Sequence, residues 1–335
     1  MSKEESKWYE KASGKKIHKA KNVQRLKEKS ESKTQNEKQT LKKTPSRPAR
    51  RDNFNKNILR QPMFDSKNID ELSQKILNDF GNIVLEARNM SGKQKTLLAA
   101  QIKKLSHFLT DQRGERRLGY MNDAAFVSAY INYFMWWNLV RLTRLFSNLP
   151  DSSFNLKDND VCLDIGSGPL TVVISLWLSR PALRSKKLTF YCMDLSQTTL
   201  AAGEEIYLNI AAKTIKNNEE PWKIVRVKGA LGSSIKEKAA LVTCANVFNE
   251  IRENSQMPPD YLAKNYTQDI EKYLKKDSAT TQEVLLVEPG DPKSARLISL
   301  MRDAFIRRDF VPLSPCPHIH YCPMEGRTTS NPAGK

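Results

Sequence analysis

The stretch Val161–Pro169, V-C-L-D-I-G-S-G-P, constrains this chain more than any other. An apolar run ends on an acid, Asp164, and passes into a turn with glycines at 166 and 168. Leu170–Leu178 follows, an apolar run able to open a helix. A nucleotide-binding unit of a parallel sheet needs this order. The strand delivers the chain to the sheet edge, glycines let the backbone approach a ligand, and the helix start offers free N–H groups. The spelling is D-x-G-x-G-P and not the dinucleotide pattern G-x-G-x-x-G. An acid beside the glycines suits a ligand with an ammonium group. S-adenosylmethionine, with an amine, a carboxylate and a cationic sulfonium, fits better than a pyrophosphate. An ordinary glycine-rich strand-to-helix turn would carry the same spelling.

Downstream the strand–helix rhythm repeats. Leu188–Met193, L-T-F-Y-C-M, reads as a second strand ending at Asp194, where an acid is placed to bind ribose hydroxyls. The separation from Gly168 exceeds the usual ~20 residues, and the Pro181–Lys187 linker takes up the difference. Ser196–Ile210 reads as the next helix. Trp222–Lys228 is a third strand whose end, Gly229-Ala230, would flank an adenine ring. Ala239–Cys244 is a fourth, followed by Ala245–Glu250, A-N-V-F-N-E, where transferred groups are handled. Glu283–Val287 is a fifth, ending in Glu288-Pro289-Gly290, with a helix over Ser294–Arg307. The expected fold over 151–312 is α/β, a doubly wound and mostly parallel sheet.

Ahead of it, residues 66–150 read as a helical subdomain. Ile69, Leu72, Ile76, Leu77, Phe80 and Ile83 recur at helical spacing, Ser91-Gly92 interrupts, and Leu97, Leu98, Ile102, Leu105 and Leu109 resume. Asn122-Asp123 can cap a further helix that runs to about Leu149-Pro150. Its aromatics, Phe126, Tyr130, Tyr133, Phe134, Trp136 and Trp137, suit packing against the sheet. Tyr130, Tyr133 or Trp137 at the pocket border or stacked on a base is the sharper alternative. Arg141 and Arg144, three apart on one face, suit phosphate or water.

The charge is uneven. The chain carries 55 Lys and Arg against 37 Asp and Glu, net +18, and the first 60 residues alone hold 19 against 7. Residues 1–65 hold too little apolar surface to offset the entropy of ordering, so they are expected to be a disordered basic arm. Its lysines at 15, 16, 19, 21, 27, 29, 42 and 43, with Arg47, Arg50 and Arg51, would neutralise phosphates and release counterions on RNA. A merely solubilising tail is the alternative. Five cysteines, an odd count without an apolar leader, point to a reducing compartment, read as cytoplasmic. No stretch reaches the ~18 uncharged apolar residues of a membrane helix.

Residues 313–335 form a Cys/His-rich segment, P-C-P-H-I-H-Y-C-P, expected to be a metal-type loop and read as cut short or incomplete. Cys316 and Cys322 would be soft ligands for zinc or for iron–sulfur iron. Either His318 and His320 complete a zinc site, or other cysteines join, or the two are free thiols. Cys162, Cys192 and Cys244 alternate into strands and read as core.

Together these motifs resemble the methyltransferase-like small-ribosomal-subunit protein family, found in bacteria and as a mitochondrial ribosome assembly factor. The resemblance runs from about Gly119 onward. It rests on A-Y-I-N-Y-F-M-W-W-N-L-V-R-L, L-D-I-G-S-G-P, A-N-V-F-N-E, V-E-P-G-D-P-K-S-A-R-L-I, P-C-P-H and Cys322-Pro323, in that order. It implies the Rossmann-like class I S-adenosylmethionine-dependent methyltransferase fold and small-subunit ribosomal RNA as partner. It also implies an iron–sulfur cluster on four cysteines, of which Cys316 and Cys322 match the first two. Asp164, Gly166 and Gly168 would then hold the methionine end of the cofactor, Asp194 the ribose, and Gly229 and Ala230 the adenine. Asn246 would face the methyl group and accept a target N–H, and Phe248 would stack. The strand-end A-N-V-F lacks both prolines of the D/N-P-P-Y/F pattern of amino-methylating enzymes. No residue stands out as a general base, though methyl transfer from a sulfonium needs little beyond positioning in a dry site. The expected function is a methyltransferase-like protein acting on small-subunit ribosomal RNA, with a non-catalytic assembly factor as the alternative.

Overall fold

A computed structural model describes residues 63–112, 119–216, 219–253, 255–276, 281–320 and 322. Residues 1–62 of the expected arm and 323–335 of the Cys/His-rich segment lie outside them. The described residues fall within one compact unit.

Three helices open it: α1 (Glu71–Asn78), α2 (Phe80–Ala87) and α3 (Gly92–Leu109). Asp70 caps α1 by accepting the Ser73 N–H, and Ser91 and Gln94 form a reciprocal capping box on α3. The aromatic segment is one continuous rod. It starts as α4 (Ala124–Ala129), passes through a single π-turn (Tyr130–Phe134) and continues as α5 (Met135–Ser147). Asp123 caps it, as expected, by accepting the Ala125 N–H.

The chain then alternates strands and helices, except that one strand passes straight to the next and two helices follow that one. These are β1 (Val161–Ile165), α6 (Thr171–Ser179), β2 (Thr189–Asp194), α7 (Gln197–Thr214), β3 (Lys223–Lys228), β4 (Leu241–Ala245), α8 (Phe248–Glu253), α9 (Pro259–Glu271), β5 (Glu283–Val287) and α10 (Pro292–Ile306). The five strands are parallel in the order β3-β2-β1-β4-β5. The expected doubly wound α/β architecture is therefore present, with strand boundaries shifted by one or two residues.

Period-two alternation sends successive strand residues to opposite cores. Cys162, Phe190 and Cys192 join one core with Trp177, Tyr207, Met135 and Phe80, so the α1–α2–α5 layer and the α6–α7 layer share it. Leu163, Ile165, Tyr191 and Met193 join the other with Phe248, Leu262, Ile270, Leu297 and Met301 from α8, α9 and α10. With both faces covered, the C-terminal strand ends are left to form the site.

Candidate functional site

One cavity of about 660 Å³ opens above the ends of β1, β2, β4 and β5, a size that suits a cofactor. The wall includes Gly166, Ser167, Gly168, Thr171, Asp194, Gly229, Ala230, Asn246, Asn249 and Glu288 from the sheet side. Tyr120, Met121, Tyr130, Phe134, Asn138 and Arg141 close it from the helical side. Ser196 Oγ and Thr199 Oγ1 on α7 donate to the Met121 carbonyl at 2.7 and 3.1 Å, and so hold that side in place.

The glycine turn is set by its backbone. Gly166 and Gly168 have φ of +65° and +54°, where a side chain is strained. A Cβ on Gly166 would stand 2.4 Å from Val247 Cγ2, whereas one on Gly168 would meet only open space. The first glycine lets the β4 loop close on the turn, and the second leaves room for a ligand.

Asp164 does not take the place expected of it. It is fully buried and absent from the cavity wall. Its oxygens accept from Ser167 Oγ at 2.5 Å and Thr243 Oγ1 at 2.6 Å. Burial pushes its carboxyl up to about 6 against those two donors. It ties the turn to β4 and does not meet a ligand directly. Asp194 does reach the cavity. One oxygen accepts the Gly168 N–H at 3.0 Å and the other the Ser196 N–H at 2.8 Å. Burial raises this carboxyl, and the N–H groups oppose the rise. Each oxygen keeps a lone pair for a hydroxyl.

Gly229 and Ala230 line the same wall. The Gly229 N–H donates to the Asp194 carbonyl at 3.1 Å, which fixes the β3 end beside the β2 end. Asn246 sits at φ +59°, a left-handed position that asparagine tolerates, and its N–H donates to the Val287 carbonyl at 2.8 Å. Phe248 overturns one expectation. It is fully buried and tilted against Tyr266 at 5.1 Å, so it cannot stack on a base. The reason is that α8 begins there and turns the ring into the core. Cys244 is buried as core, with its thiol raised well above the usual range.

Glu288, directly after β5, clamps the loop of the neighbouring strand. Oε1 accepts the Val247 and Phe248 N–H groups at 2.8 Å each, and Oε2 the Asn249 N–H at 3.0 Å. It thereby caps α8 from a neighbouring strand and clamps the loop that carries Asn246. Burial pushes it up to about 7. An acid at a strand end, as at 164 and 194, is the signal that could have found it. Thr171 Oγ1 and Asn249 Oδ1, also on lining residues, are buried without a hydrogen-bond partner.

Of the Cys/His-rich segment, residues up to 320 and Cys322 are described. Cys316 is exposed and Cys322 half-buried, while His318 and His320 stand ring to ring at 5.8 Å. Among the described residues no group of three His, Cys, Asp or Glu is placed to hold a metal ion.

Residues 124–332, more than half of the chain, match the family described as mitochondrial small ribosomal subunit Rsm22. The chain belongs to the Rsm22 family. No curated protein matches it in sequence. Solved structures similar to this Rsm22-family chain include two S-adenosylmethionine-dependent methyltransferases in complex with S-adenosyl-L-homocysteine. The one from Geobacter sulfurreducens is 14% identical over 42% of this chain and 44% of that one, with a TM-score of 0.26. The one from Thiobacillus denitrificans is 16% identical over 42% and 44%, with a TM-score of 0.25. The cyclopropane synthase MmaA2 from Mycobacterium tuberculosis is 12% identical over 37% and 35%, with a TM-score of 0.26. The chain spans less than half the length of each.

Proposed function

We propose that this chain is an S-adenosylmethionine-binding, methyltransferase-like protein acting on the RNA of the small ribosomal subunit. The observation that carries the reading is Asp194 at the end of β2. It lines the cavity, is held by two backbone N–H groups, and has lone pairs free for a ribose. The rest of the wall fits the same ligand. Open space beside Gly168 admits the methionine end, and Gly229 and Ala230 give a side-chain-poor surface for an adenine. The unpartnered Thr171 and Asn249 oxygens offer hydrogen bonds. When bound, the cofactor supplies an electrophilic methyl group on its sulfonium. The chain's own residues bind and orient: Asn246, clamped through Glu288, presents its carboxamide to a target N–H.

Calorimetry with S-adenosylmethionine tests this. The wild type should bind, and Asp194→Ala should bind about 10- to 100-fold more weakly, the worth of losing hydrogen bonds to a charged acceptor. A folded wild type that takes up no cofactor would refute it.

One observation favours a second reading, a non-catalytic small-subunit assembly factor that keeps the fold. Phe248 is buried, which leaves the β4 end without the aromatic that would hold a target base. If Asp194→Ala loses the cofactor and small subunits still assemble in cells, an assembly role does not depend on the cofactor. Cys316 and Cys322 supply two thiolates and His318 and His320 two imidazoles, but among the described residues no three such groups are placed together, so as they stand these residues do not fit a closed zinc or iron–sulfur site. The compartment is one that holds small ribosomal subunits: the cytoplasm read from the sequence, or the mitochondrion that the family's description names. No helix among the described residues is long and apolar enough to cross a membrane.

A further inference from the structure

The rod that walls the cavity has a second, outward stripe. Tyr133, Trp137, Arg141 and Arg144 recur at four-, four- and three-residue steps, and all four are exposed. Tyr133 and Trp137 are 46% and 52% exposed, unusual for rings of this size. Each is braced from one edge by a neighbour that is itself anchored. Trp136 stands edge-on to Trp137 at 4.6 Å and donates its indole N–H to the Leu77 carbonyl at 2.8 Å. Phe134, in the cavity wall, stands edge-on to Tyr133 at 5.0 Å. The outward rings are thus held in place while open to solvent. Neither Arg141 nor Arg144 is in an ion pair among the described residues, so both charges are available to an anion. The stripe also leads into the cavity. Arg141 lines it and donates to the Asn138 side-chain oxygen, and Asn138 donates to the Tyr130 hydroxyl at 2.9 Å.

We infer that this stripe is a landing surface for single-stranded RNA at the cavity mouth, with bases stacked on Tyr133 and Trp137 and phosphates on Arg141 and Arg144. Fixed aromatics continued by arginines outside any ion pair are what single-strand recognition uses. Every base has a face to stack, and duplex RNA keeps its faces hidden. Tyr, Trp and Arg also anchor protein interfaces, and what favours RNA here is that the stripe runs through Arg141 into the cavity, so a strand lying on it is led to the place of the methyl group. The proposal rests on the RNA reading above and deepens it by naming where the strand lies.

The test is fluorescence anisotropy of the full-length chain with a short labelled single-stranded RNA of mixed sequence, over a salt series. Trp137→Ala should weaken binding about tenfold or more with an unchanged salt slope, and Trp137→Phe should recover most of the loss. Arg144→Ala should lower the slope of log K against log salt by about 0.7, one phosphate's share on a single strand. Melting temperatures of all three should match the wild type, since the side chains are exposed. Trp137→Ala within twofold of the wild type overturns the proposal while leaving the RNA reading intact. A wild type that binds no single-stranded RNA overturns both. Normal RNA binding with lost association to purified small subunits marks the face as a protein-docking surface, and also overturns it.

Discussion

Glu288 works at two tasks, as a cap for α8 and as part of the cavity wall, and its burial makes the first task depend on pH. Its carboxyl moves from 4.5 up to about 7, and that of Asp164 from 3.8 up to about 6. Both folded values lie above the unfolded ones, so the fold favours the protonated forms. Their contribution is fully present below about pH 4 and is lost as pH rises through 6 and 7. The melting temperature should therefore fall between about pH 4.5 and 7.5. For Glu288 the loss is on the order of 3 kcal/mol. Glu288→Gln should flatten that part of the profile in a pH series of thermal melts. A variant profile parallel to the wild type would show that the group does not titrate in this range.

At the scale of the element, α7 lies so close to the glycine turn that it admits no side chain at Gly203. A Cβ there would stand 2.3 Å from the Pro169 carbonyl carbon. Gly203→Ala should cost about 1–3 kcal/mol in urea unfolding by forcing helix and turn apart. It should also weaken cofactor binding, because the Gly168 N–H that seats Asp194 moves with the turn. Equal stability in the variant would mean the turn yields freely. Nothing in A-A-G-E-E announces this close approach, since it joins two elements far apart in the chain. β1, β2 and β4 were readable because burial on both faces leaves short apolar runs. The stretch from 251 to 271 was harder. The α9 core face of Leu262, Ala263, Tyr266 and Ile270 is diluted by lysine, asparagine and aspartate. The candidate site was legible as far as which positions line the cavity, as with Asp194, Gly166 and Gly168. It was not where the work is shared, as in the Ser167–Asp164–Thr243 link, which spans 79 positions. Nor could sequence tell that Phe248 would face inward, since that depends on where α8 starts.

For the whole molecule, the first 60 residues carry +12 of the net +18 and the rest of the chain the remaining third. Removing residues 1–60 should weaken RNA binding and make its salt dependence shallower by about 0.7 for each phosphate that is no longer neutralised. Unchanged affinity and slope in the same titration would show the segment to be a solubilising tail. The compact unit itself depends on a rod that serves two cores. Before the π-turn, Phe126 and Ala129 pack with Leu105 of α3. Beyond it, Met135, Leu139 and Phe146 pack into the sheet's core. Val127 and Ile131 already join the sheet's core ahead of and within the π-turn, and the extra residue held in Tyr130–Phe134 keeps Met135, Leu139 and Phe146 on that same side. A chain shortened there by one residue would have a regular helix and a rotated second half. Met135, Leu139 and Phe146 would turn away from the side that Val127 and Ile131 share, so length, more than identity, is what this segment cannot vary.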